Sequence, residues 1–331
     1  MPPTSREIIN SAILDAINEA GAVGMLVQSS PAHPRVYLVA QNGYQSSLWV
    51  YCWTLTHGGR KTLPDEYRIQ MTSVNSPLPV NTGGNTILLG FEPNRRVFAG
   101  FDLARHQVFT GRSPSVQVSL STLNESLQHG LAFQTKSNNE IAIGIRSDML
   151  LFYCEHASEL HNLGEDSTYF DTVNRAVKVQ SIEESVILSY PRQRQLVIHE
   201  TARWSRSSTF KKQVLNAYDY RCAVTRRQLK LVDAAHILPV KAGEQSIDNV
   251  RNGIALSPTY HRAFDNGLIF LDDNMVMRLN QSTAEDLYRL GLDSGIESFT
   301  ANLGRIHLPY NPEQQPDPYF IHLANKYRGL G

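Results

Sequence analysis

Two histidines and one asparagine in the most basic part of the chain are of types that could take part in hydrolysis of a phosphodiester bond. His236 lies in AAHILP, Asn252 opens NGIAL, and His261 follows Asn252 by nine residues in HRAFD. Such hydrolysis needs a nucleophilic water, a group that takes the proton of that water, and positive charge beside the phosphate. A neutral imidazole is well suited to accept this proton near neutral pH. These three residues are therefore the candidate catalytic residues.

The chain around these residues predicts a strand, a loop, a second strand and a helix, in that order. His236 lies on the first predicted strand and His261 on the helix. The loop contains the turn-forming pair Asp248 and Asn249, and Pro258 suits the first turn of the helix. The predicted elements would thus bring residues that are distant in sequence onto one small unit.

This pattern resembles the HNH endonucleases, whose nuclease core is a ββα-metal finger. The resemblance covers residues 210–278 and rests on AAHILP, NGIAL and HRAFD. The segments YRCAVT, DAAHI and HRAFDNG look most like those of the McrA-type branch, which contains modification-dependent restriction enzymes. The resemblance implies an enzyme that cleaves double-stranded DNA with a divalent metal ion, Mg²⁺ or Mn²⁺.

The resemblance also implies a role for each of the three residues. His236 would be the general base that takes the proton of the attacking water. His261 would ligate the metal ion. Asn252 would hold the loop over the finger and orient His236 through a hydrogen bond, without transferring a proton itself.

The second metal ligand is where the sequence departs from the family pattern. Many members carry an Asp directly before the first His, but Ala235 stands at that position here. The sequence favours Asp265 as the ligand, because it follows His261 by four residues on the same helix face. Asp233 is the alternative, although strand alternation points it away from His236.

A second departure concerns zinc. Many HNH modules are bracketed by two Cys-x-x-Cys pairs that hold a structural zinc ion. Here Cys222 and Thr225 occupy the positions of the first pair, and Ser257 and Tyr260 occupy those of the second. One cysteine cannot form a tetrahedral thiolate site, so structural zinc is not expected.

Lysine and arginine are concentrated around the candidate catalytic residues. The chain has 331 residues and a formal net charge of 0, yet residues 191–262 contain 13 Lys and Arg against 5 Asp and Glu, a local charge of +8. Such a segment indicates an anionic partner, here the phosphates of DNA. The candidate DNA contacts are Lys211, Lys212, Arg226, Arg227, Lys230, Arg251 and Arg262.

The length of the chain predicts more than one domain. Residues 1–165 alternate short β-type runs with helical segments, which predicts a mixed, sheet-centred α/β domain. Because a small finger has little surface for reading DNA, we expect this domain to select the target. Residues 166–205 predict a connecting helix and a basic linker, and residues 206–331 the nuclease domain. The predicted fold class is α+β, with the ββα-metal HNH domain at the C-terminal end.

Three aromatic residues in SLWVYCWTL are candidates for reading a base. Trp49, Tyr51 and Trp53 point to one side of a strand by period-two alternation. They form either part of a sheet core or an aromatic pocket for a flipped, modified base. An unmodified, sequence-specific target stays an open alternative.

Two other functions remain open from the sequence: a defence effector that degrades DNA nonspecifically once a ligand activates it, and a non-catalytic DNA-binding regulator with a degenerate HNH finger. Because one finger has one active centre, cutting both strands of a duplex predicts a homodimer. Three widely spaced cysteines, the lack of a long apolar run and the lack of a secretory signal predict a cytoplasmic protein without a membrane span.

Overall fold

The structure, a computed structural model, describes residues 5–28, 32–41, 43–60, 62–111, 113–229, 231–243 and 246–330. The chain divides into two compact units, residues 1–208 and residues 209–331. Among the described residues, no helix combines the length and the apolar character needed to cross a membrane.

A mixed sheet of seven strands forms the centre of the first unit. Its elements in chain order are α1 (Arg6–Glu19), β1 (Val23–Gln28), β2 (Arg35–Gln41), β3 (Tyr44–Thr54), β4 (Thr56–His57), β5 (Glu66–Gln70), β6 (Asn85–Glu92), β7 (Val97–Phe101), α2 (Leu103–His106), β8 (Ser115–Ser119), α3 (Leu120–His129), β9 (Leu131–Thr135), β10 (Ile141–Arg146), α4 (Leu150–His161), α5 (Ser167–Val177) and α6 (Glu184–Leu188). The large sheet has the order β1-β2-β3-β6-β7-β10-β9, and β4, β5 and β8 form a small second sheet. Strands β3 and β6 run parallel, and the other neighbours in the large sheet are antiparallel.

Strand alternation places the two faces of the large sheet in separate apolar clusters. On β3, Val50 and Cys52 pack into a cluster with residues of α1, α4 and α5. Tyr51 and Trp53 point the other way, into a cluster that includes Ile69 of the small sheet. Because both faces are covered, β3 is apolar on successive residues near its end. The predicted sheet-centred α/β domain is confirmed.

A single long helix, α7 (Arg192–Ala217), runs through the predicted basic linker and into the predicted nuclease domain. The predicted connecting helix corresponds to α5. The sequence does not reveal that α7 is continuous, because the buried residues of this helix include Thr201 and Ser205 besides Ile198. Hydroxyl residues at helical spacing weaken the apolar periodicity from which a helix is predicted. The division of the chain into a reading and a nuclease domain stays a prediction.

The second unit contains the predicted strand-loop-strand-helix arrangement. Its elements after α7 are β11 (Asp233–His236), β12 (Gly253–Leu256), α8 (Pro258–Asp265), β13 (Ile269–Leu271), β14 (Val276–Leu279), α9 (Gln281–Leu290), α10 (Ile296–Thr300), β15 (Gly304–Arg305) and α11 (Pro318–Tyr327). Strands β11 and β12 are antiparallel, and Pro258 lies in the first turn of α8 as predicted. The predicted α+β class is therefore confirmed.

Candidate active site

The β11-β12 hairpin is the support of the site, and Gly253 allows a helix to lie against it. Gly253 pairs with His236 across the two strands. A Cβ atom at residue 253 would overlap Val214 of α7 and come within 3.1 Å of the Phe210 ring. The Asn-Gly step that opens β12 is thus explained by close packing, since only glycine lets α7 approach here.

Asn252 is fully buried and bonds the loop that joins the two strands. Its Oδ1 accepts a hydrogen bond from the backbone N–H of Leu238 at 2.9 Å. Its Nδ2 donates to the carbonyl oxygens of Ile247 at 3.0 Å and of Leu238 at 3.3 Å. A buried amide with satisfied donors and an acceptor fixes the conformation of the backbone that it bonds. Asn252 therefore holds both ends of the loop.

His236 is fixed on one edge and one face of its ring. Its Nε2 lies 2.8 Å from Oδ1 of Asp248, and its ring stacks on Phe210 with 3.9 Å between centroids and 8° between planes. The bonds of the Asn252 side chain go to the loop and not to the His236 imidazole. The expected hydrogen bond from Asn252 to His236 is thus corrected: Asp248 makes the contact, and Asn252 holds the loop that carries Asp248.

His261 lies between two carboxylates. Its Nε2 is 3.4 Å from Asp265 on the same helix, and its Nδ1 is 3.7 Å from Asp233 on β11, an ion-pair contact and not a short hydrogen bond. The interaction with Asp233 raises the pKa of His261 above its usual value, and Asp265 adds to this, although partial burial opposes both. The same pairing, aided by Lys211, lowers the pKa of Asp233.

Strand alternation explains why Asp233 reaches His261. Residues 233 and 235 lie on the same face of β11, so Asp233 shares the face of Ala235, where many family members carry the ligating Asp. Its orientation relative to His236, which made it the less favoured candidate, does not decide its distance from His261. Asp233, His261 and Asp265 all line one groove of about 1080 Å³.

His261 and one neighbouring carboxylate can provide two protein ligands to a metal ion, which leaves its other coordination positions open. Within the described ranges, no group of three or more His, Cys, Asp or Glu side chains is arranged to hold a metal ion. His261 has a carboxylate beside each ring nitrogen, so it can share an ion with either Asp265 or Asp233. Which of the two acts as a ligand stays a prediction.

Three of the four positions that hold zinc in many related modules, Cys222, Thr225 and Ser257, interact here at the Cys222 thiol. Burial alone would raise the pKa of the Cys222 thiol, but hydrogen bonds from the Thr225 hydroxyl and from the backbone of Thr225, Ser257 and Val224 outweigh it and lower the pKa. Cys222 is buried within the apolar core of the second unit. The thiol thus interacts with residues that precede β11 and with the residue that directly follows β12.

The candidate DNA contacts fall into three groups. Arg226, Arg227 and Arg262 are exposed, whereas Lys211 and Lys212 are partly buried on α7. Arg251 forms an ion pair with Asp317 at 2.9 Å, so its charge is already compensated within the unit. Lys230 lies outside the described residues.

The three aromatic residues of β3 differ in exposure. Tyr51 is 1% exposed and donates its hydroxyl to the carbonyl of Pro79 at 2.8 Å, so of the two interpretations that the sequence leaves open, its burial favours the sheet core. Trp49 is partly exposed. Trp53 is 8% exposed, donates Nε1–H to the carbonyl of Thr72, and stacks on His33 with 4.0 Å between centroids.

A cavity of about 530 Å³ lies beside Trp53 in the first unit. Its walls include Arg6, His33, Arg35 and Gln70. Burial lowers the pKa of His33 to about 3, with further contributions from Arg35 and Arg6. His33 is therefore neutral at physiological pH and offers a stacking surface, while the two arginines carry the positive charge of this cavity.

Comparisons with known proteins agree with the geometry of the second unit. A family described as HNH endonuclease matches residues 222–272, and a family described as Methylase-associated X1 matches residues 46–154. The comparison with curated proteins found no match. The resemblance to HNH endonucleases is thus confirmed for residues 222–272: the chain contains an HNH endonuclease domain and is a DNA endonuclease.

One solved structure with a similar chain is named as a modification-dependent TagI restriction endonuclease. It is 12% identical, with 83% of this chain and 80% of that chain covered, and the TM-score is 0.28. A likeness at this level supports no inference about specificity or arrangement.

The ion pair between Asp233 and His261 gives a pH-dependent prediction. Asp233→Asn should lower the titration midpoint of His261, measured by NMR, because the neutral amide no longer stabilises the imidazolium. A raised histidine pKa stabilises the fold below the unfolded value of about 6.5, and this contribution is lost as the pH rises through the folded value. The variant should therefore be less stable than wild type mainly at pH 5 to 6.5.

The matched control is Asp286→Asn, which removes an exposed carboxylate that pairs with Arg289 in the same unit. It should leave the His261 midpoint unchanged. An unchanged midpoint in Asp233→Asn would contradict the assigned interaction.

Proposed function

We propose that the chain is a metal-dependent restriction endonuclease that hydrolyses phosphodiester bonds of double-stranded DNA and selects DNA carrying a modified base. The arrangement of the two histidines supports this most directly. His236 is held in one orientation by Asp248 and Phe210, and His261 lies between carboxylates at the other end of β11. One imidazole is thus suited to act as a base and the other to act as a metal ligand.

The donor set around His261 fits a hard divalent cation, Mg²⁺ or Mn²⁺. We assign the site to His261 and Asp265, with Asp233 as the alternative carboxylate. One imidazole and one carboxylate leave positions for water and for phosphate oxygens. When bound, the cation supplies positive charge at the scissile phosphate.

His236 performs the proton transfer in this proposal. The oxygen of a water forms a bond to phosphorus, and the bond from phosphorus to the leaving sugar oxygen breaks. The proton released by the water moves to Nδ1 of His236, and the leaving oxygen takes a proton from solvent. Asn252 acts only through the loop, whose backbone it bonds.

The exposed arginines of the second unit support contact with DNA phosphates. Arg262 lines the same groove as His261 and Asp265, so a phosphate bound there would meet a guanidinium directly. Arg226 and Arg227 are exposed on the turn before β11. We assign Arg251 a smaller role because Asp317 already compensates its charge.

The cavity beside Trp53 supports target selection by the first unit. A base that leaves the duplex needs an aromatic surface and polar groups at its edge. Trp53 and His33 provide the aromatic surface, and Arg35 and Gln70 provide polar groups. The family that matches residues 46–154 is described as methylase-associated, and this supports a role connected to modified DNA.

The assembly and compartment follow from the same proposal. One HNH domain has one active centre, so cutting both strands calls for two copies related by a two-fold axis. The three cysteines are free and buried, which fits the reducing conditions of the cytoplasm. We therefore propose a cytoplasmic enzyme that acts on DNA as a homodimer.

Cleavage tests the catalytic assignment. Wild-type protein with Mg²⁺ or Mn²⁺ should nick or cut duplex DNA, and EDTA should stop it. His236→Ala should reduce the cleavage rate by about 10²- to 10⁴-fold, since a general base contributes this much, while DNA binding is retained. His322→Ala, which removes an exposed histidine on α11, is the matched control and should cut normally. Wild-type cleavage by His236→Ala would show that another group is the base.

A panel of plasmids tests the target. The same plasmid is prepared unmodified, cytosine-methylated, adenine-methylated, hydroxymethylated and phosphorothioated. We expect cleavage of a modified form only, and we expect Trp53→Ala to abolish it while cleavage of single strands persists. Tyr44→Ala, at an 81% exposed aromatic residue on the same strand, is the control. Equal cutting of the unmodified plasmid at discrete sites would contradict selection of a modified base.

A further inference from the structure

We infer that Asp248 is the positioning residue for His236: its carboxylate accepts a hydrogen bond from Nε2–H and leaves the lone pair of Nδ1 free to take the proton of water. This inference rests on the proposed nuclease function. It names a residue that lies outside the His, Asn and His of the motif and that sequence reasoning treats only as part of a turn.

The contacts of His236 leave one ring nitrogen for chemistry. Nε2 is 2.8 Å from Oδ1 of Asp248, and Phe210 covers one face of the ring at 3.9 Å. Within the described part of the chain, no hydrogen bond is made to Nδ1 of His236. The ring is thus fixed by one edge and one face, and its other nitrogen remains open.

The chemistry of a carboxylate decides which nitrogen carries the proton. An ionised carboxylate only accepts hydrogen bonds, so the bond to Asp248 requires a proton on Nε2. A neutral imidazole with its proton on Nε2 has its lone pair on Nδ1. The negative charge of Asp248 also stabilises the imidazolium that forms when Nδ1 takes a proton, as in other carboxylate-histidine pairs.

Stability alone does not account for this pair. The Asp248 side chain is 31% exposed and that of His236 is 21% exposed. Ion pairs with this much solvent access contribute little to stability. The loop is nevertheless bonded at both ends by Asn252, whose amide reaches Ile247, the residue directly before Asp248. The fold thus places Asp248 with more restraint than its contribution to stability explains.

The experiment combines NMR with kinetics on the full chain. Long-range ¹H–¹⁵N spectra should show the His236 proton on Nε2 in wild type. In Asp248→Asn, the amide can donate to Nε2, so the proton should shift towards Nδ1. We expect the cleavage rate at saturating DNA to fall about 10²-fold, with DNA affinity unchanged, because only the base is misplaced. Asp248→Glu should restore the rate to within about tenfold of wild type, because it retains the carboxylate.

A double variant separates positioning from other roles. If Asp248 acts through His236, adding Asp248→Asn to His236→Ala should cause no further loss of rate. Asp286→Asn is the matched control and should change neither the spectrum nor the rate. A further loss in the double variant, or an unchanged tautomer in Asp248→Asn, would overturn the inference.

The NMR measurement does not depend on enzymatic activity. The nuclease function and the pairing of Asp248 with His236 can therefore be refuted independently of each other. A chain that cuts no DNA but shows the tautomer change would overturn the nuclease function and support the pairing. A chain that cuts DNA while the tautomer of Asp248→Asn stays as in wild type would overturn the pairing alone.

Discussion

The buried carboxamide of Asn252 is the interaction on which the candidate active site depends. It bonds Leu238 at the start of the loop and Ile247 near its end, so the buried side chain of one residue ties together the two ends of the segment that joins the strands. The next residue, Asp248, then reaches His236 at 2.8 Å. Loss of the Asn252 carboxamide would leave the N–H of Leu238 and the carbonyl oxygens of Leu238 and Ile247 without these hydrogen bonds. An unpaired buried polar group costs about 1–3 kcal/mol.

Three carboxylates contact the two histidines of the site and give them different surroundings. Asp248 contacts one edge of His236, while Asp233 and Asp265 flank His261. Strand β11 carries His236 at one end and Asp233 at the other, so their Cα atoms are about 10 Å apart along the strand. Asp248 orients His236, whereas the two carboxylates beside His261 raise the pKa of that histidine. The surrounding lysine and arginine residues offset the acidic charge for an anionic substrate.

The β11-β12 hairpin and helix α8 can be predicted from the sequence, because the spacing and types of residues close together in the chain determine them. The spacing of His236, Asn252 and His261, with Pro258 before the last, predicts the hairpin and helix that the structure has. The contacts of Asp248 could not be predicted, because they depend on the path of a loop that a buried side chain fixes from another strand.

Two other differences between the predictions and the structure also arise from packing that the sequence does not show. The sequence predicts a linker where α7 runs, because Thr201 and Ser205 are buried at positions where apolar residues are expected. Tyr51 and Trp53 share a strand face, as alternation predicts, but which of them borders a cavity depends on the residues packed around them, including His33. Alternation determines a face and not the exposure of each residue on it.

Hydrogen exchange in Asn252→Ala, followed together with cleavage, tests most directly whether Asn252 acts through the loop. Loss of the buried bonds should speed exchange of the loop amides, including that of Leu238, by about tenfold or more, while β13 and β14 stay protected. DNA cleavage should fall with it, and Asn302→Ala, at an exposed asparagine of the same unit, should change neither. Loss of cleavage with loop amides as protected as in wild type would contradict this role and show that Asn252 acts on the chemistry itself.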